Sequence, residues 1–205
     1  MCTRTIMSNT GIEAVILAGG QAQRMAGVNK LLQCFDGQIQ LTKIYQQLSH
    51  TVSKIWVNSH RDVVLYQDLV PNIHVFHDDV DGFLGPLMGI KTAWSYIQSD
   101  YILFIPCDVT YIPTDIVLLL HQKMTQCLGI NVVYLEINGT PLYPFCLMHR
   151  SSKAVIDQQL LNQKYALKQC FQQLSAQTIQ VEHTGINFHS INSWDELQQY
   201  QTWRD

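Results

Sequence analysis

Charge is scarce in this chain. Asp, Glu, Lys and Arg make up 14% of its 205 residues and leave a net charge of -3. That balance excludes a protein that holds nucleic acid through its general field, so any phosphate site must be a local positive feature. With 47% hydrophobic residues, it also excludes an intrinsically disordered chain. No apolar run reaches the length of a membrane span. Residues 1–10 are polar and lack the apolar segment of a signal peptide. A single domain over residues 1–205 is expected, with 1–11 a flexible lead-in and a cytoplasmic location.

Metal-binding and disulfide spacings are missing as well. The six cysteines are scattered and form no C-x-x-C pair. The eight histidines show neither H-x-x-x-H nor H-E-x-x-H spacing. Reduced thiols and no structural zinc are the expectation. Cys107 adjoins Asp108, but the sequence places no histidine beside it, so a thiol nucleophile has no base. Two familiar phosphate loops are absent too. Lys30 is followed by Leu31, not by the Ser or Thr of a Walker loop, and Gly19, Gly20 and Gly27 do not make G-x-G-x-x-G.

What is present is an alternation of strands and helices. Apolar runs predict strands over residues 14–17, 55–58, 74–77, 101–106, 131–136 and 144–148. Helical patterns fall at 41–49, 63–69, 86–98 and 114–126, with Pro86 in a first helical turn. This rhythm predicts an α/β fold with a mostly parallel sheet and helices on both faces. Asn138-Gly139 signals a turn, so residues 131–148 read as a small antiparallel excursion at the sheet's edge. Helices at 152–161 and 166–174, a strand at 178–182 and a helix at 193–203 capped by Ser193 complete the chain. Glutamines such as Gln46, Gln47, Gln198 and Gln199 are expected to cover solvated helix faces.

In such a sheet ligands bind where strands end. The first strand runs into Leu17-Ala18-Gly19-Gly20, and a basic stretch with Arg24 and Lys30 follows. Glycines let a backbone approach a phosphate closely, and the two cations can neutralise it. The next strand ends at Asn58, whose amide can donate and accept. The third ends at Asp78, and the fourth in Pro106-Cys107-Asp108. A carboxylate at the rim of the sheet beside a phosphate loop suits Mg²⁺, which makes Asp108 the sharpest single residue. The tight turn Gly85-Pro86 enters a helix with Gly89 inside it. A small residue there can serve a ligand or helix packing, and glycine costs about 1 kcal/mol against alanine.

Taken together, the loop from Leu17 to Lys30, Gly85-Pro-Leu-Met-Gly89 and Pro106-Cys107-Asp108 resemble the molybdenum cofactor guanylyltransferase family. The stretch from Phe188 to Leu197 resembles that family's closing Asn-x-Asn-Thr-Pro-Glu-Asp-Leu element. The resemblance implies a three-layer Rossmann-like nucleotidyltransferase fold. It implies Mg²⁺-dependent transfer of GMP from GTP to the terminal phosphate of Mo-molybdopterin, with release of pyrophosphate. Leu17, Ala18, Gly19, Lys30, Asn58, Asp78 and Asp108 would contact GTP, and Asp108 would hold the metal. Arg24, Lys30 and Asp108 would form the catalytic set. Molybdenum-insertion proteins and acceptor molybdoenzymes are the implied partners, and a monomer is expected. The chain departs from the family pattern at Ala26, where Gly is usual, and at Asn29, where Asp is usual. Three alternatives stay open: a molybdopterin cytidylyltransferase, a sugar-phosphate nucleotidyltransferase, and a non-catalytic nucleotide-binding module.

Overall fold

A computed structural model describes residues 11–19, 27–79, 85–185 and 188–202. The lead-in at 1–10, and with it Arg24, Ala26 and Trp203, lie outside the described residues. In chain order, the first strand β1 (Ile12–Leu17) is followed by a short hairpin, β2 (Cys34–Phe35) and β3 (Gln38–Ile39). Then come α1 (Gln40–Leu48), β4 (Lys54–Asn58), α2 (Val63–Leu69), β5 (His74–Phe76), α3 (Pro86–Tyr96) and β6 (Tyr101–Pro106). The remainder is α4 (Ile116–Gln126), β7 (Val132–Ile137), β8 (Thr140–His149), α5 (Lys153–Leu161), α6 (Leu167–Gln173), β9 (Gln177–Val181) and α7 (Trp194–Thr202).

The main sheet has seven strands in the order β5-β4-β1-β6-β8-β7-β9. β1 pairs in parallel with both β4 and β6, and β4 with β5. β8 is antiparallel to β6 and β7, so the antiparallel excursion exists as expected. Its expected place at the edge is corrected. β8 is inserted between β6 and β7, and β9 closes the edge in parallel with β7. Adjacent residues of a strand point to opposite faces, and here both faces are apolar. Ala14, Ile16, Leu103 and Ile105 pack into one cluster with α1, α2 and α4. Val15, Leu17, Ile102 and Phe104 pack into the other with α3, α5 and α6. Those two clusters are the outer interfaces of the three layers.

Turn chemistry explains the hairpins. Asn138 and Gly139 both have positive φ, of 48° and 76°, the conformation a two-residue hairpin turn demands. Asp36 and Gly37 do the same between β2 and β3, with φ of 54° and 76°. That second hairpin is absent from the sequence reading, although Asp-Gly is the same kind of signal. Its strands of two residues are too short to show alternation. A third, small cluster of Phe35, Ile191, Leu197 and Tyr200 seats α7 on this hairpin. Ser193 caps α7 as expected, accepting from the Glu196 N–H at 3.1 Å.

Candidate functional site

The parallel strands end level with one another. Leu17 is in register with Asn58 on one side and Pro106 on the other, and Asn58 with Phe76. The four sequence-predicted strand ends therefore share one edge. The chain leaves β1 towards β4 and β5, then returns to β6 on β1's other flank. The gap between the β1 and β6 ends is thus the topological switch point, where open α/β sheets place ligands.

Two side-chain pairs form along this edge, one on each side of β1. Lys30 follows β1 in a short 3₁₀ turn over Lys30–Leu32, and its Nζ lies 2.7 Å from Asp108 Oδ2. Both side chains are largely covered, at 13% and 16% exposure, yet both reach the surface. Asn58 is 2% exposed, and its Nδ2 donates to Asp78 Oδ1 at 2.8 Å. His60 Nε2 lies 3.4 Å from the other oxygen of Asp78. Between these pairs runs the backbone of Leu17, Ala18 and Gly19. Ala18 N donates to Asn58 O at 2.9 Å, and Leu17 O accepts from Cys107 N at 3.2 Å. A Cβ on Gly19 would lie 2.9 Å from Asn58 Oδ1 and 3.6 Å from Asp78 Oδ2. Gly19 is therefore required by the side chains beside it.

Gly89 has the same relation to Asn58 from the opposite direction. A Cβ there would lie 2.4 Å from Asn58 Oδ1 and 3.1 Å from Leu17 Cδ2. Of the two explanations that the sequence allows, packing is the one observed, and what Gly89 packs on is the site itself. Gly85 caps α3 with φ 76° and ψ -176°, a backbone region open to glycine, and Pro86 occupies the first helical turn.

Three residues without a role in the sequence analysis fasten Lys30 or the segment leading to it. Asn192 Oδ1 lies 3.4 Å from Lys30 Nζ, and the Asn192 N–H donates to Glu196 Oε2. Arg61 donates to the carbonyls of Gly27 and Val28. Asn29 accepts from Leu31 N at 3.1 Å and donates to Asp62 Oδ2 at 2.6 Å and Tyr66 Oη at 2.7 Å. Burial, first among several causes, raises the Tyr66 phenol above its ordinary pKa, so it stays a neutral partner in this network.

These bonds explain Asn29. Aspartate at that position would set a second carboxylate against Asp62. Asn29→Asp is expected to cost about 1–3 kcal/mol, the scale of a lost bond to a charged partner. The midpoint of thermal unfolding should fall by several degrees. Asn29→Asp combined with Asp62→Asn should recover most of the loss, and asparagine suits the positive φ of 59° at residue 62. No recovery in the double variant would contradict this pairing.

Cys107 is no nucleophile. Burial first, and the Asp108 carboxylate second, push its thiol up to about 12, with Lys30 pulling the other way. It stays protonated at neutral pH. The described cysteines Cys34, Cys107, Cys127, Cys146 and Cys170 are all free thiols. Among the described residues no three His, Cys, Asp or Glu side chains converge as a metal cage, and no helix is long and apolar enough to cross a membrane.

A mostly parallel sheet, a glycine-bounded strand end and a Lys–Asp pair at the switch point define an open α/β domain with its charged groups gathered at the carboxyl ends of the strands. Residues 14–178 match the MobA-like NTP transferase domain. A molybdenum cofactor guanylyltransferase of Acinetobacter baumannii is 56% identical over 189 residues, covering 92% of this chain and 90% of the relative. One from Pasteurella multocida is 36% identical, covering 90% and 96%. The solved structure of molybdopterin-guanine dinucleotide biosynthesis protein A from Archaeoglobus fulgidus superposes with a TM-score of 0.69 at 14% identity, covering 93% and 97%. The chain belongs to the molybdenum cofactor guanylyltransferase family.

Proposed function

We propose that this protein transfers the guanylyl group of GTP to the terminal phosphate of Mo-molybdopterin and releases pyrophosphate. The observation that carries the proposal is the Lys30–Asp108 pair at the β1/β6 switch point, in a chain 56% identical to a guanylyltransferase. An oxygen of the pterin phosphate attacks the α-phosphorus of GTP. The bond from that phosphorus to the β-phosphate oxygen breaks, and its electron pair leaves with pyrophosphate. No covalent enzyme intermediate is required, so the protein's contribution is positioning and charge neutralisation.

Each residue has an assigned part. The backbone of Leu17, Ala18 and Gly19 lies against the nucleotide. Asn58 and Asp78, already tied to each other, present fixed polar groups to it. Lys30 balances phosphate charge, and its tether to Asp108 and Asn192 keeps the ammonium aimed before substrate arrives. Arg24 belongs to the same cationic set by its place in the sequence. Asp108 also fits a magnesium ion. Mg²⁺ is ordinarily held by one or two carboxylates together with substrate phosphates and water, not by an all-protein cage. A single partly exposed carboxylate next to a phosphate site meets that requirement. When bound, the ion supplies charge neutralisation on the phosphates. The domain is read as one cytoplasmic unit, and molybdenum-insertion proteins and acceptor molybdoenzymes are its proposed partners.

The test is incubation with Mo-molybdopterin, Mg²⁺ and, in turn, GTP, CTP, ATP or UTP. Pyrophosphate and the dinucleotide product are measured in each. GTP should give the highest kcat/KM. Preference for CTP would replace the guanylyl reading with a cytidylyl one.

A further inference from the structure

Helix α1 turns a largely apolar face to the core through Leu41, Ile44 and Leu48, yet Gln40 and Lys43, on the flank beside that face, are buried as well. Their polar ends reach the segment that carries Asp108. We infer that Gln40 and Lys43 are positioning residues that fix Asp108 through its backbone, a role that rests on the proposed transfer reaction for its catalytic meaning.

The segment from Cys107 to Thr110 leaves the sheet, so its carbonyls lose the strand partners that pair a buried backbone. Each of the four has a replacement. Gln40 Nε2 donates to Cys107 O at 3.2 Å and to Val109 O at 2.7 Å. These two carbonyls flank Asp108, so one amide brackets it. Asp108 O accepts from Ile191 N at 3.1 Å. Thr110 O accepts from Lys43 Nζ at 2.8 Å. Lys43 is held in turn by Asp36 Oδ2 at 2.6 Å, and Asp36 Oδ1 accepts from Tyr200 Oη at 2.6 Å. The chain of contacts runs from α7 through the β2–β3 hairpin and α1 to the loop of Asp108.

Packing does not explain these side chains. Leucine at 40 would fill the same space without a buried polar group. Gln40 Oε1 is buried with no partner among the described residues, a standing cost in free energy. An ammonium taken out of water costs still more unless paired. What Gln40 and Lys43 supply is donors, and all their loop contacts fall on backbone within two residues of Asp108. A side chain held this way keeps its place while charge develops on a substrate.

The test compares Gln40→Leu with wild type by amide hydrogen exchange and by kinetics. Exchange across Cys107–Thr110 should accelerate tenfold or more, while exchange in β6 and β1 stays unchanged. This readout holds whichever nucleotide is the substrate. In the transfer assay kcat should fall about tenfold with KM for GTP within twofold of wild type. Unchanged exchange in this segment would overturn the positioning role, and so would acceleration spread evenly over the sheet. Accelerated exchange beside a wild type that does not use GTP would instead contradict the guanylyl reading alone. Should Gln40→Leu fail to fold, Gln40→Met carries the same comparison, since it fills similar volume and donates nothing. Failure of both to fold overturns the inference, because Gln40 would then be a general determinant of packing.

Discussion

Replacing Asp108 with alanine is expected to abolish guanylyl transfer and leave the protein folded. The carboxylate is partly exposed at the sheet's rim, and its side-chain partner is Lys30 at 2.7 Å. Both side chains of the pair are largely covered, so losing it costs more than the ~1 kcal/mol of a surface pair and, since both still reach water, less than the ~3–5 kcal/mol of a fully buried one. The catalytic loss is far larger. Asp108 is assigned to hold both the nucleotide and the magnesium ion, and it orients Lys30. Removing one preorganised electrostatic group of this kind lowers turnover roughly 100- to 1,000-fold. Asp108→Asn sharpens the expectation. The amide can still accept from Lys30, so geometry is kept while charge is removed. If charge is the point, Asp108→Asn fails almost as badly as alanine, and added Mg²⁺ does not rescue it. Near-normal turnover in either variant would show that Asp108 is not the metal ligand.

Gly89→Ala is expected to damage the site from a position inside a helix. On propensity alone the change should stabilise α3 by about 1 kcal/mol. The surroundings reverse that sign. The new Cβ would stand 2.4 Å from Asn58 Oδ1 and 3.1 Å from Asn58 Cγ. Asn58 has no room to retreat, since Gly19 closes its other side and Asp78 holds its Nδ2. Overpacking of this kind costs about 1–3 kcal/mol. Pulling Asn58 off the Asp78 carboxylate adds a loss of about 1.5–3 kcal/mol. The net effect should lower Tm by about 5 °C or more for a chain of this length. GTP should bind about tenfold more weakly, because Asn58 and Asp78 move together. A raised Tm with unchanged GTP affinity would contradict the account of this packing.

The sequence made some of this legible and hid the rest for physical reasons. β6 and α2 fall at the residues expected: β6 is an unbroken apolar run, as a strand buried on both faces should be, and α2 is a helix-forming run stopped by Pro71 just beyond Val70. Asn58, Asp78 and Asp108 could be read as strand ends because apolar strands stop there, and parallel pairing brings such ends to one edge. Strand order could not be read. Nothing local in residues 140–149 says that they insert beside β6, since that choice is made by tertiary pairing. The glutamine reading shows the same boundary. Gln46, Gln47, Gln198 and Gln199 are exposed as expected. Gln40 is fully buried, and the one available signal was a polar residue beside the apolar face of α1. In the sequence alone, Asn29 is no more than a departure from the family's usual Asp. Its partner Asp62 lies 33 residues away in sequence, so only the fold shows that the two fit each other.

The central claim is guanylyl transfer at the β1/β6 switch point. The most direct measurement is the product formed from Mo-molybdopterin and Mg²⁺ with equal GTP and CTP present together. The guanine dinucleotide form of the cofactor is expected, with one pyrophosphate released per product, and both are lost in Asp108→Ala. A cytosine dinucleotide product, or a guanine product that persists in Asp108→Ala, would contradict the claim.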